Sequence, residues 1–333
     1  MIAGDHLRPP SPIDPSANQY KDWLHLNLMH HASGAVGLIN LSIHGPPDDP
    51  RSRVVGIAAI NQPGGGWIGQ AELRGFDEAA ISDRTIALRN LAIAIADPGG
   101  EVLSSVIMPG DGVSVQVTGV PSAPRIVIEE QLPLGTGWIA WRATPRLALS
   151  GRMNLGEQAL DLSQASGYHD HNWGRWFWGD DFGWEWACFL TPAPGPSFVM
   201  SRTTDRSHRR RGPLTLTADH GRSRRTLVAP HASVEYGGEL EPLARRLPGA
   251  MAALHQGRAR VRLPRTARIN ADDGKCSIAI EYTGRSALQV ITADPITSGY
   301  GFIHEIAGEF ECEYKNGDGC FTGRGLAILE YVD

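Results

Sequence analysis

The stretch Gly167-Tyr168-His169-Asp170-His171-Asn172-Trp173-Gly174, with its continuation to Trp184-Glu185-Trp186, carries the greatest concentration of chemically versatile side chains in the chain. Five of the nine tryptophans lie in this window, around the carboxyl group of Asp170, two imidazoles and an amide. Such a concentration of indole rings is unusual for a surface turn, because tryptophan buries a large apolar area. The stretch is therefore expected to be central to the structure, with the remainder of the chain surrounding and supporting it.

The side chains of this stretch fall on two faces if the backbone is extended, because side chains alternate along a β-strand. Asp170 then lies between a phenol and an amide, among indole rings. Such a carboxyl group is a candidate proton donor, since desolvation raises the pKa of a carboxylic acid. The two predicted faces are Tyr168, Asp170 and Asn172 on one side, and His169, His171 and Trp173 on the other.

Alternation of apolar and polar residues continues on both sides of the central stretch. It is clear in Val113–Thr118 before the stretch, and in Arg258–Leu263 and Glu309–Tyr314 after it. This pattern is typical of antiparallel sheets that have one buried and one wet face. Short helices are expected at Phe76–Ser82 and Leu243–His255. Many short strands joined by Gly and Pro turns favour barrels or sandwiches over an α/β fold.

The length of the chain is sufficient for two domains. With 333 residues, of which 41% are hydrophobic, the chain can form two separate cores. A small barrel uses roughly 100 to 180 residues. The sequence therefore predicts an all-β protein with two antiparallel β-barrels packed together and few short helices. The linker is expected near Thr191-Pro192-Ala193-Pro194-Gly195-Pro196, which gives an N-terminal barrel over residues 1–192, carrying the central stretch, and a C-terminal barrel over residues 193–333.

Charge and hydropathy restrict the partners of the protein. A net charge of −5 argues against a polyanionic partner, so no nucleic acid is expected. No apolar run approaches the length of a membrane span, and the first residues lack the pattern of a signal peptide. We therefore expect no stable membrane insertion and a cytoplasmic location. The four cysteines are far apart and lack CxxC spacing, which indicates reduced thiols.

The segment Arg202–Arg225 is the one marked basic run of the sequence. It could bind a phosphate or diphosphate. Alternatively, it is a solvated hairpin edge whose charges protect against strand association. The run lacks interleaved aromatic residues, which favours the second interpretation.

Three interpretations of the central stretch are open. His169 and His171 could bind a metal ion, but neither an HExxH pattern nor a third clustered ligand accompanies them, so no metal is predicted. The stretch could instead be structural, with aromatic rings filling the seam between two barrels and Asp170 holding a loop by hydrogen bonds. In the third interpretation, Asp170 is a general acid that protonates a C=C bond of a bound polyene, and the indole faces stabilise the tertiary carbocation.

Signatures of hydrolases and nucleotide-binding proteins are missing from the sequence. It contains neither a GxSxG elbow nor a GxxxxGK[ST] loop, and Gly135-x-Gly137 lacks the third glycine and the βαβ context of a dinucleotide fingerprint. The simplest inference is a site that uses no cofactor.

The central stretch resembles the signature of a known family. Gly167–Gly174 followed by Gly183-Trp184-Glu185-Trp186 is similar to the G-Y-x-D-H-x-W and W-x-W motifs of the lipocalin-like proteins that include carotenoid 1,2-hydratases and AttH-type proteins, with tocopherol cyclases and lipocalin-like Diels–Alderases as more distant relatives. Asp22-Trp23-Leu24-His25 resembles the E-W-W-Y first strand of that family, with Trp23 identical. Trp141 is a candidate for the tryptophan that lines the hydratase site.

The resemblance implies two lipocalin-like β-barrels with a hydrophobic pocket in or between them, and an aspartate that protonates an isoprenoid double bond. Asp170 occupies the position of that aspartate, with Tyr168 beside it, and these two are the expected catalytic residues. Leu24 and His25 replace aromatic residues of the first strand, and Ile139 stands where the hydratases tend to carry histidine. These departures favour a shorter terpenoid, a meroterpenoid or a polyketide-derived polyene over a carotenoid.

The predicted function is that of a cofactor-independent enzyme of natural-product biosynthesis. It would bind a hydrophobic polyene or terpenoid in an aromatic pocket and protonate a C=C bond through Asp170, leading to cyclisation, hydration or isomerisation. The alternatives are a pericyclase that acts by positioning alone and a non-catalytic carrier of a hydrophobic ligand. The expected substrate-binding residues are Trp23, Trp141, His169, His171, Asn172, Trp173, Trp184 and Trp186.

Overall fold

Strands form almost all of the regular structure, and a computed structural model of the chain arranges them in two large antiparallel sheets. The prediction of an all-β protein with two packed lipocalin-like barrels is confirmed: the first sheet is a half-barrel and the second a nearly closed barrel. The residues that the structure describes are 6–9, 14, 16–64, 66–96, 100–108, 110, 112–221, 223–240, 245–246, 262–294, 296–297, 299–317 and 319–333.

The first sheet contains 13 strands. They are β1 (Tyr20–His30), β2 (Ala35–His44), β3 (Arg53–Gln62), β4 (Gly66–Arg74), β5 (Ala80–Ser82), β6 (Thr85–Ala87), β7 (Leu91–Ile95), β8 (Val102–Met108), β9 (Val113–Pro121), β10 (Ile126–Leu134), β11 (Gly137–Leu155), β12 (Gln158–Asp161) and β13 (Ala165–Arg175). Their order is β4-β3-β2-β1-β13-β11-β9-β8-β7-β6-β5, and both β10 and β12 pair with β11. The first and last strands are therefore neighbours in the middle of the sheet.

The second sheet contains 10 strands. They are β14 (Gly183–Leu190), β15 (Ser197–Thr204), β16 (Thr215–His220), β17 (Ser223–Val228), β18 (Ala232–Gly237), β19 (Arg245–Arg246), β20 (Thr266–Asp272), β21 (Ser277–Ala293), β22 (Tyr300–Asn316) and β23 (Gly319–Val332). The order is β17-β16-β15-β14-β23-β22-β21-β20-β18, and β19 pairs with β21 in parallel. Here too the first and last long strands, β14 and β23, pair with each other.

The central stretch of the sequence lies in β13, between β1 and β11. The pairing places His25 of β1 opposite Asp170, and Trp23 opposite Asn172. A Cβ atom at Gly174 would lie 2.2 Å from the carbonyl oxygen of Trp138 in β11. A glycine is required there, because no side chain fits into so close an approach of the two strands.

Four hydrophobic clusters organise the packing of the described residues, and three of them are large. One lies on the inner face of the first sheet and includes Leu24 and Leu26. A second fills the nearly closed barrel of the second sheet. The third joins the outer face of the first sheet to the second sheet, where Trp141 and Tyr168 meet Trp186. We call this junction between the two sheets the seam. Burial of apolar surface in the seam therefore holds the two sheets together.

The proline-rich residues 191–196 form the loop of the β14–β15 hairpin, because Leu190 pairs with Ser197. The chain passes from the first sheet to the second between Arg175 and Gly183. Strand β14 is thus hydrogen-bonded into the second sheet, although it precedes the predicted domain boundary at residues 192 and 193. Proline is common in tight loops as well as in linkers, so composition alone could not distinguish the two.

The helix predictions had different outcomes. Phe76–Ser82 begins as a 3₁₀ helix over Phe76–Glu78 but continues as strand β5, so the predicted helix is wrong beyond its first turn. Of Leu243–His255 the structure describes Arg245–Arg246, which form β19; the rest lies outside the described residues. Further 3₁₀ helices are Ala17–Gln19 and Leu162–Gln164. Within the described part of the chain, no helix has the length and apolar character needed to span a membrane.

The cysteines are free thiols in the structure. Cys188, Cys276 and Cys312 are buried, and Cys320 is exposed. The sequence-based prediction of reduced thiols agrees with this arrangement.

A buried ion pair joins the two sheets and is hydrogen-bonded to the segment that connects them. Lys21 of β1 has a completely buried side chain, and its Nζ lies 2.8 Å from Asp294 Oδ1, just after β21. The same Nζ donates to the carbonyl oxygen of Trp176 at 3.0 Å. Asp294 Oδ2 accepts a hydrogen bond from the backbone N–H of Trp178 at 2.8 Å. Burial lowers the pKa of Lys21, and the charge of Asp294 opposes this effect.

Replacing Lys21 should destabilise the protein strongly. Lys21→Met keeps the apolar stem but leaves the Asp294 carboxylate buried without its cation, which typically costs about 3 to 5 kcal/mol. Urea denaturation followed by tryptophan fluorescence should show a decrease of this size in the free energy of unfolding. Lys275→Met is the control, since Lys275 is exposed and should change stability by less than about 0.5 kcal/mol. Equal stability of the two variants would contradict the role given to Lys21.

Candidate active site

A cavity of about 510 Å³ lies in the seam between the two sheets. Its size is within the range of about 300 to 1,000 Å³ that is typical of small-molecule sites. Indole rings contribute from both sheets, with Trp23 and Trp141 on the first and Trp184 and Trp186 on the second. Aliphatic side chains of β3, β10 and β21 complete much of the wall. The cavity is thus shaped for a largely apolar ligand.

Asp170 lies in the wall of this cavity with both carboxyl oxygens hydrogen-bonded. The hydroxyl group of Tyr168 donates to Oδ2 at 2.8 Å, and the Asn172 side-chain amide donates to Oδ1 at 2.6 Å. The residue is 7% exposed. The two donors come from the same strand at positions two before and two after, as the alternation of side chains predicted. They fix the orientation of the carboxyl group, and each oxygen keeps a second lone pair for a proton.

Burial raises the pKa of Asp170 to about 8, and the negative charge of Glu330 contributes to the increase. Hydrogen bonds from Tyr168 and Asn172 and the proximity of His171 act in the opposite direction, but they do not outweigh the loss of water. The carboxyl group therefore retains its proton at neutral pH. A carboxylic acid with a pKa near the working pH is suited to general acid catalysis.

Tyr168 is completely buried behind Asp170 and does not line the cavity. Its ring packs against Trp186, with 4.9 Å between the ring centroids. Burial, followed by the charge of Asp170, raises the pKa of the Tyr168 hydroxyl well above its usual value. Tyr168 is therefore a permanent hydrogen-bond donor to Asp170 over the range of pH in which proteins are studied.

The predicted site residues divide into two groups in the structure. The cavity wall includes Trp23, Trp141, Asp170, Asn172, Trp184 and Trp186. His169, His171 and Trp173, which were predicted to bind substrate, do not line the cavity. The reason is the alternation of β13, which directs these three side chains to the opposite face of the strand.

The residues of the opposite face have structural contacts. His169 Nδ1 donates to the backbone oxygen of His25 at 2.8 Å. His171 Nε2 lies 2.7 Å from Asp22 Oδ1, and both side chains are fully buried. Trp173 lies under the guanidinium group of Arg8, at 4.2 Å from the ring centroid. The two imidazoles are hydrogen-bonded to separate partners, and the described residues contain no group of three or more His, Cys, Asp or Glu side chains arranged to hold a metal ion.

His25 is a cavity residue that was not predicted to belong to the site. Its Nδ1 lies 3.3 Å from the side-chain amide nitrogen of Asn40, so Nδ1 accepts and Nε2 carries the proton. Burial lowers the pKa of His25 to about 4, which keeps the ring neutral. Its position two residues after Trp23 on the same strand was a usable signal, because residues i and i+2 share a face.

Glu305 and Glu330 also line the cavity, on the side of the second sheet. They are directly opposite each other in the pairing of β22 with β23. They lie on consecutive strands joined by a tight turn, and the hairpin register that closes at Asn316 and Gly319 also places Glu305 beside Glu330. No motif in the sequence marks the two glutamates as part of the site.

The basic run is largely neutralised by neighbouring acids. Arg202 Nε donates to Glu185 Oε2 at 2.7 Å, and Arg224 Nε donates to Asp219 Oδ1 at 2.9 Å. These contacts favour the structural interpretation of the segment over a phosphate site.

The retained proton of Asp170 should be visible as a pH dependence of stability. Since the folded protein holds this proton up to about pH 8 and an unfolded chain loses it near pH 3.8, the stabilising contribution of neutral Asp170 is full below pH 3.8 and is lost as pH rises toward 8. The free energy of unfolding of the wild type, relative to Asp170→Asn, should therefore decrease between pH 5 and 8, by at most about 1.4 kcal/mol per pH unit.

Urea denaturation of both proteins at pH 5, 6, 7 and 8 measures this difference. Asp77→Asn is the control, because Asp77 is exposed and should leave the pH dependence of the wild type unchanged. A pH-independent difference between the wild type and Asp170→Asn would show that Asp170 is ionised throughout.

Comparisons with known proteins agree with the fold. No protein-family model matches the sequence, and no curated protein matches it. Among solved structures, a candidate AttH protein from Nitrosomonas europaea superimposes with a TM-score of 0.67 at 14% identity, covering 97% of this chain and 98% of its own. Kievitone hydratase from Nectria haematococca gives a TM-score of 0.58 at 13% identity, covering 98% of this chain and 97% of its own.

CghA in a crystal structure with Sch210972 gives a TM-score of 0.64 at 12% identity, covering 95% of this chain and 89% of its own. All three similarities extend over nearly the whole chain. The chain therefore shares the lipocalin-like two-barrel fold of these proteins from end to end.

Proposed function

We propose that the protein is a cofactor-independent enzyme that protonates a C=C bond of a hydrophobic polyene or terpenoid through Asp170. The observation that carries this proposal is a buried carboxyl group, hydrogen-bonded at both oxygens, in the wall of an aromatic cavity. Burial raises the pKa of this group to about 8. Cyclisation, hydration and isomerisation are all possible outcomes of the same first step. The expected setting is natural-product biosynthesis.

The first step transfers the proton of Asp170 to one carbon of the alkene. The π electrons form the new C–H bond, the O–H bond breaks, and a tertiary carbocation and the Asp170 carboxylate result. Tyr168 and Asn172 already donate to the two oxygens. Their hydrogen bonds strengthen as negative charge develops on the carboxylate, since charge-assisted hydrogen bonds are the stronger ones. The two residues therefore stabilise the transition state more than the ground state.

The indole rings of the cavity stabilise the carbocation. Trp23 stacks on Trp184 with 6.5 Å between ring centroids, and Trp141 and Trp186 lie in the same wall. Each ring that presents its face to a cation contributes about 0.5 to 2 kcal/mol through its quadrupole. Burial increases this contribution, because electrostatic attraction is screened less in a site of low dielectric constant than in bulk water.

The group nearest the cation decides the product. Water yields an alcohol, an internal alkene or hydroxyl group closes a ring, and loss of a neighbouring proton yields an isomer. The structural similarity to kievitone hydratase is compatible with addition of water, although such a distant similarity supports the fold and not the reaction. His25, directly opposite Asp170 in the β1–β13 pairing, could orient a water molecule through its neutral ring.

A pericyclase or a carrier would use the same cavity without a proton donor. A pericyclase would lower its barrier by holding two reacting π systems together, and a carrier would release its ligand unchanged. Neither gives a role to a carboxyl group that is held neutral and doubly hydrogen-bonded. The presence of that group is the reason for preferring an acid-catalysed reaction.

Removing the acid should abolish most of the activity. Asp170→Asn preserves size and polarity but has no transferable proton, and general acid catalysis typically contributes roughly 10² to 10⁴. Turnover of whichever acyclic isoprenoid the wild type converts, found by screening farnesol, geranylgeraniol and prenylated hydroquinones, should fall by about 10²-fold or more. The affinity for that compound should change little.

Tyr168→Phe is the matched comparison, because it removes one hydrogen bond from Asp170 and keeps the acid. Its activity should lie between those of the wild type and Asp170→Asn. Full activity of Asp170→Asn would eliminate the general-acid mechanism and leave positioning alone.

Deuterium incorporation should report the proton transfer directly. In deuterated water the carboxyl group exchanges its proton, so the product should carry one deuterium at the former alkene carbon. Mass spectrometry and NMR of the product locate this label. A pericyclic product would carry none there, and that result would support the pericyclase alternative.

A further inference from the structure

The cavity in the seam crosses six strands of the first sheet. One residue from each of β3, β2, β1, β13, β11 and β10 is paired with the next across the sheet, and all six line the cavity: Val55, Ser42, Trp23, Asn172, Trp141 and Ile128. We call these residues the first row. Because neighbouring strands are about 4.8 Å apart, the first row is about 24 Å long.

The second sheet provides a row of the same length. Its members come from β22, β23, β14, β15, β16 and β17, each is paired with the next, and all six line the cavity: Glu305, Glu330, Trp186, Ser201, Thr215 and Val228. We call these residues the second row. The cavity therefore extends about 24 Å across the strands of both sheets.

Contacts between the sheets show that the two rows run side by side in the same order. At one end, Arg224 Nη1 of β17 donates to the carbonyl oxygen of Arg125, just before β10, at 2.6 Å. At the other end, the indole N–H of Trp67 in β4 donates to the carbonyl oxygen of Ser286 in β21 at 3.3 Å. Strand β4 is next to β3, and β21 is next to β22. The β10 end of the first row thus lies at the β17 end of the second.

The middle of the cavity is narrow along the strands. Strands β1, β13 and β11 each contribute two side chains that are separated by one residue, namely Trp23 and His25, Asp170 and Asn172, and Ile139 and Trp141. Such residues are about 7 Å apart. The wall is longer on β2 and β10, nearer the two ends of the first row. A space that is long across the strands and narrow beside Asp170 fits an extended chain and not a fused ring system.

The cavity opens at the end formed by β10 and β17. Of its described lining residues, the exposed ones are Pro133 on β10, Pro213 just before β16, and Val228 at the end of β17. Val228 is 42% exposed. The described lining residues of β2, β3, β22 and β23 are buried or partly buried. We call the exposed end the mouth and the β3–β22 end the inner end.

We propose that the ligand is a linear chain of roughly 20 backbone carbon atoms, which enters at the mouth and lies extended across the strands. An extended carbon chain with bonds of about 1.5 Å advances about 1.25 Å per bond, so such a chain spans the two rows. Its tail meets the aliphatic side chains of Val55, Ile57 and Val290 at the inner end. A polar group remains at the mouth, where it keeps its water and avoids the cost of desolvation. The substrate class is thus a linear polyprenyl or polyene chain and not a compact cyclic terpenoid.

The position of Asp170 along this path selects the alkene. Its strand, β13, is the third of the six from the mouth, after β10 and β11. Asp170 is therefore about 10 Å from the mouth strand, and each isoprene unit of an extended chain adds about 5 Å. The inference rests on the proposed function at this point alone: the double bond that Asp170 would protonate is an internal one, about two isoprene units from the polar end.

Two alcohols of the same molecular formula test the shape of the site. Farnesol is linear and cedrol is tricyclic, so they differ in shape and not in composition. The change in tryptophan fluorescence on titration of the wild-type chain measures each dissociation constant, since indole rings line the cavity. Farnesol should bind about tenfold or more tightly than cedrol, because the tricycle is too wide for the narrow middle. Equal affinity for the two isomers would overturn the proposal, and this comparison requires no variant.

A chain-length series tests how far the ligand reaches. Affinity should increase by about tenfold or more from geraniol to farnesol, and again from farnesol to geranylgeraniol, because each added isoprene unit buries more apolar surface. Val55→Trp fills the inner end of the first row. It should remove the gain from farnesol to geranylgeraniol, while geraniol binds within about twofold of its affinity for the wild type.

Val127→Trp is the matched control, because Val127 is 44% exposed on β10 and is not a lining residue. It adds the same indole ring to the fluorescence signal and should bind all three alcohols as the wild type does. If Val55→Trp keeps the full preference for geranylgeraniol, the chain does not reach β3 and the proposal is wrong. An equal loss of affinity for all three alcohols would contradict it as well.

The outcomes separate this inference from the proposed function. If farnesol and cedrol bind equally while Asp170→Asn loses turnover, the extended path fails and the acid remains. If farnesol binds more tightly than cedrol and Val55→Trp acts on geranylgeraniol alone, while Asp170→Asn is fully active, the extended path stands without the acid. Failure of every linear alcohol to bind would overturn the extended path.

Discussion

Exclusion of water from the seam between the two sheets is the condition on which the candidate site depends. Burial is the largest cause of the raised pKa of Asp170, and it outweighs the two hydrogen bonds that favour the carboxylate. Residues of both sheets surround Asp170 in the cavity wall, and Trp186 of the second sheet packs against Tyr168, the hydrogen-bond donor to Asp170. Packing of the two barrels against each other therefore contributes to the raised pKa of Asp170. A change that opens the seam would lower the pKa of Asp170 without touching it.

The tryptophans of the central window have different roles although they are close in sequence. Trp184 and Trp186 lie in the cavity wall together with Trp178, and Trp173 lies on the far face of β13. Trp176 and Trp178 belong to the connection between the sheets, where they pack edge to face at 5.7 Å and join an aromatic cluster with Phe182. The Lys21–Asp294 pair holds the backbone of the same connection. Aromatic packing and a buried charge pair thus fix the position at which the two sheets meet.

Period-two alternation made much of the site predictable. It placed Tyr168, Asp170 and Asn172 on one face, and the hydrogen bonds among them agree with that assignment. The same alternation places His169 and His171 on the opposite face of β13, away from the cavity, although both belong to the family motif. A family motif identifies a stretch of residues with a shared role, whereas alternation indicates on which face of the strand each side chain lies.

The burial of Glu305 in the cavity wall could not be predicted, for a geometric reason. Glu305 has the same parity along β22 as Glu309 and Glu311, which are exposed. The strand is 17 residues long, and one end of that face lies against the first sheet while the other reaches solvent. Side chains of the same parity are therefore buried at one end of the strand and exposed at the other. Pairing of Glu305 with Glu330, by contrast, follows from the hairpin register that the turn between Asn316 and Gly319 sets.

The carboxyl groups of the cavity influence one another, and their arrangement is relevant to the proposed chemistry. Burial raises the pKa of Glu330, while the hydrogen bond from the indole N–H of Trp184 favours its ionised form. When it is ionised, Glu330 helps to keep Asp170 protonated. It also makes Asp170 a weaker acid while attracting the cation that forms when the proton leaves. Neutralising Glu330 would consequently have two opposing effects on the rate, because the acid would become stronger and the carbocation would lose a stabilising charge.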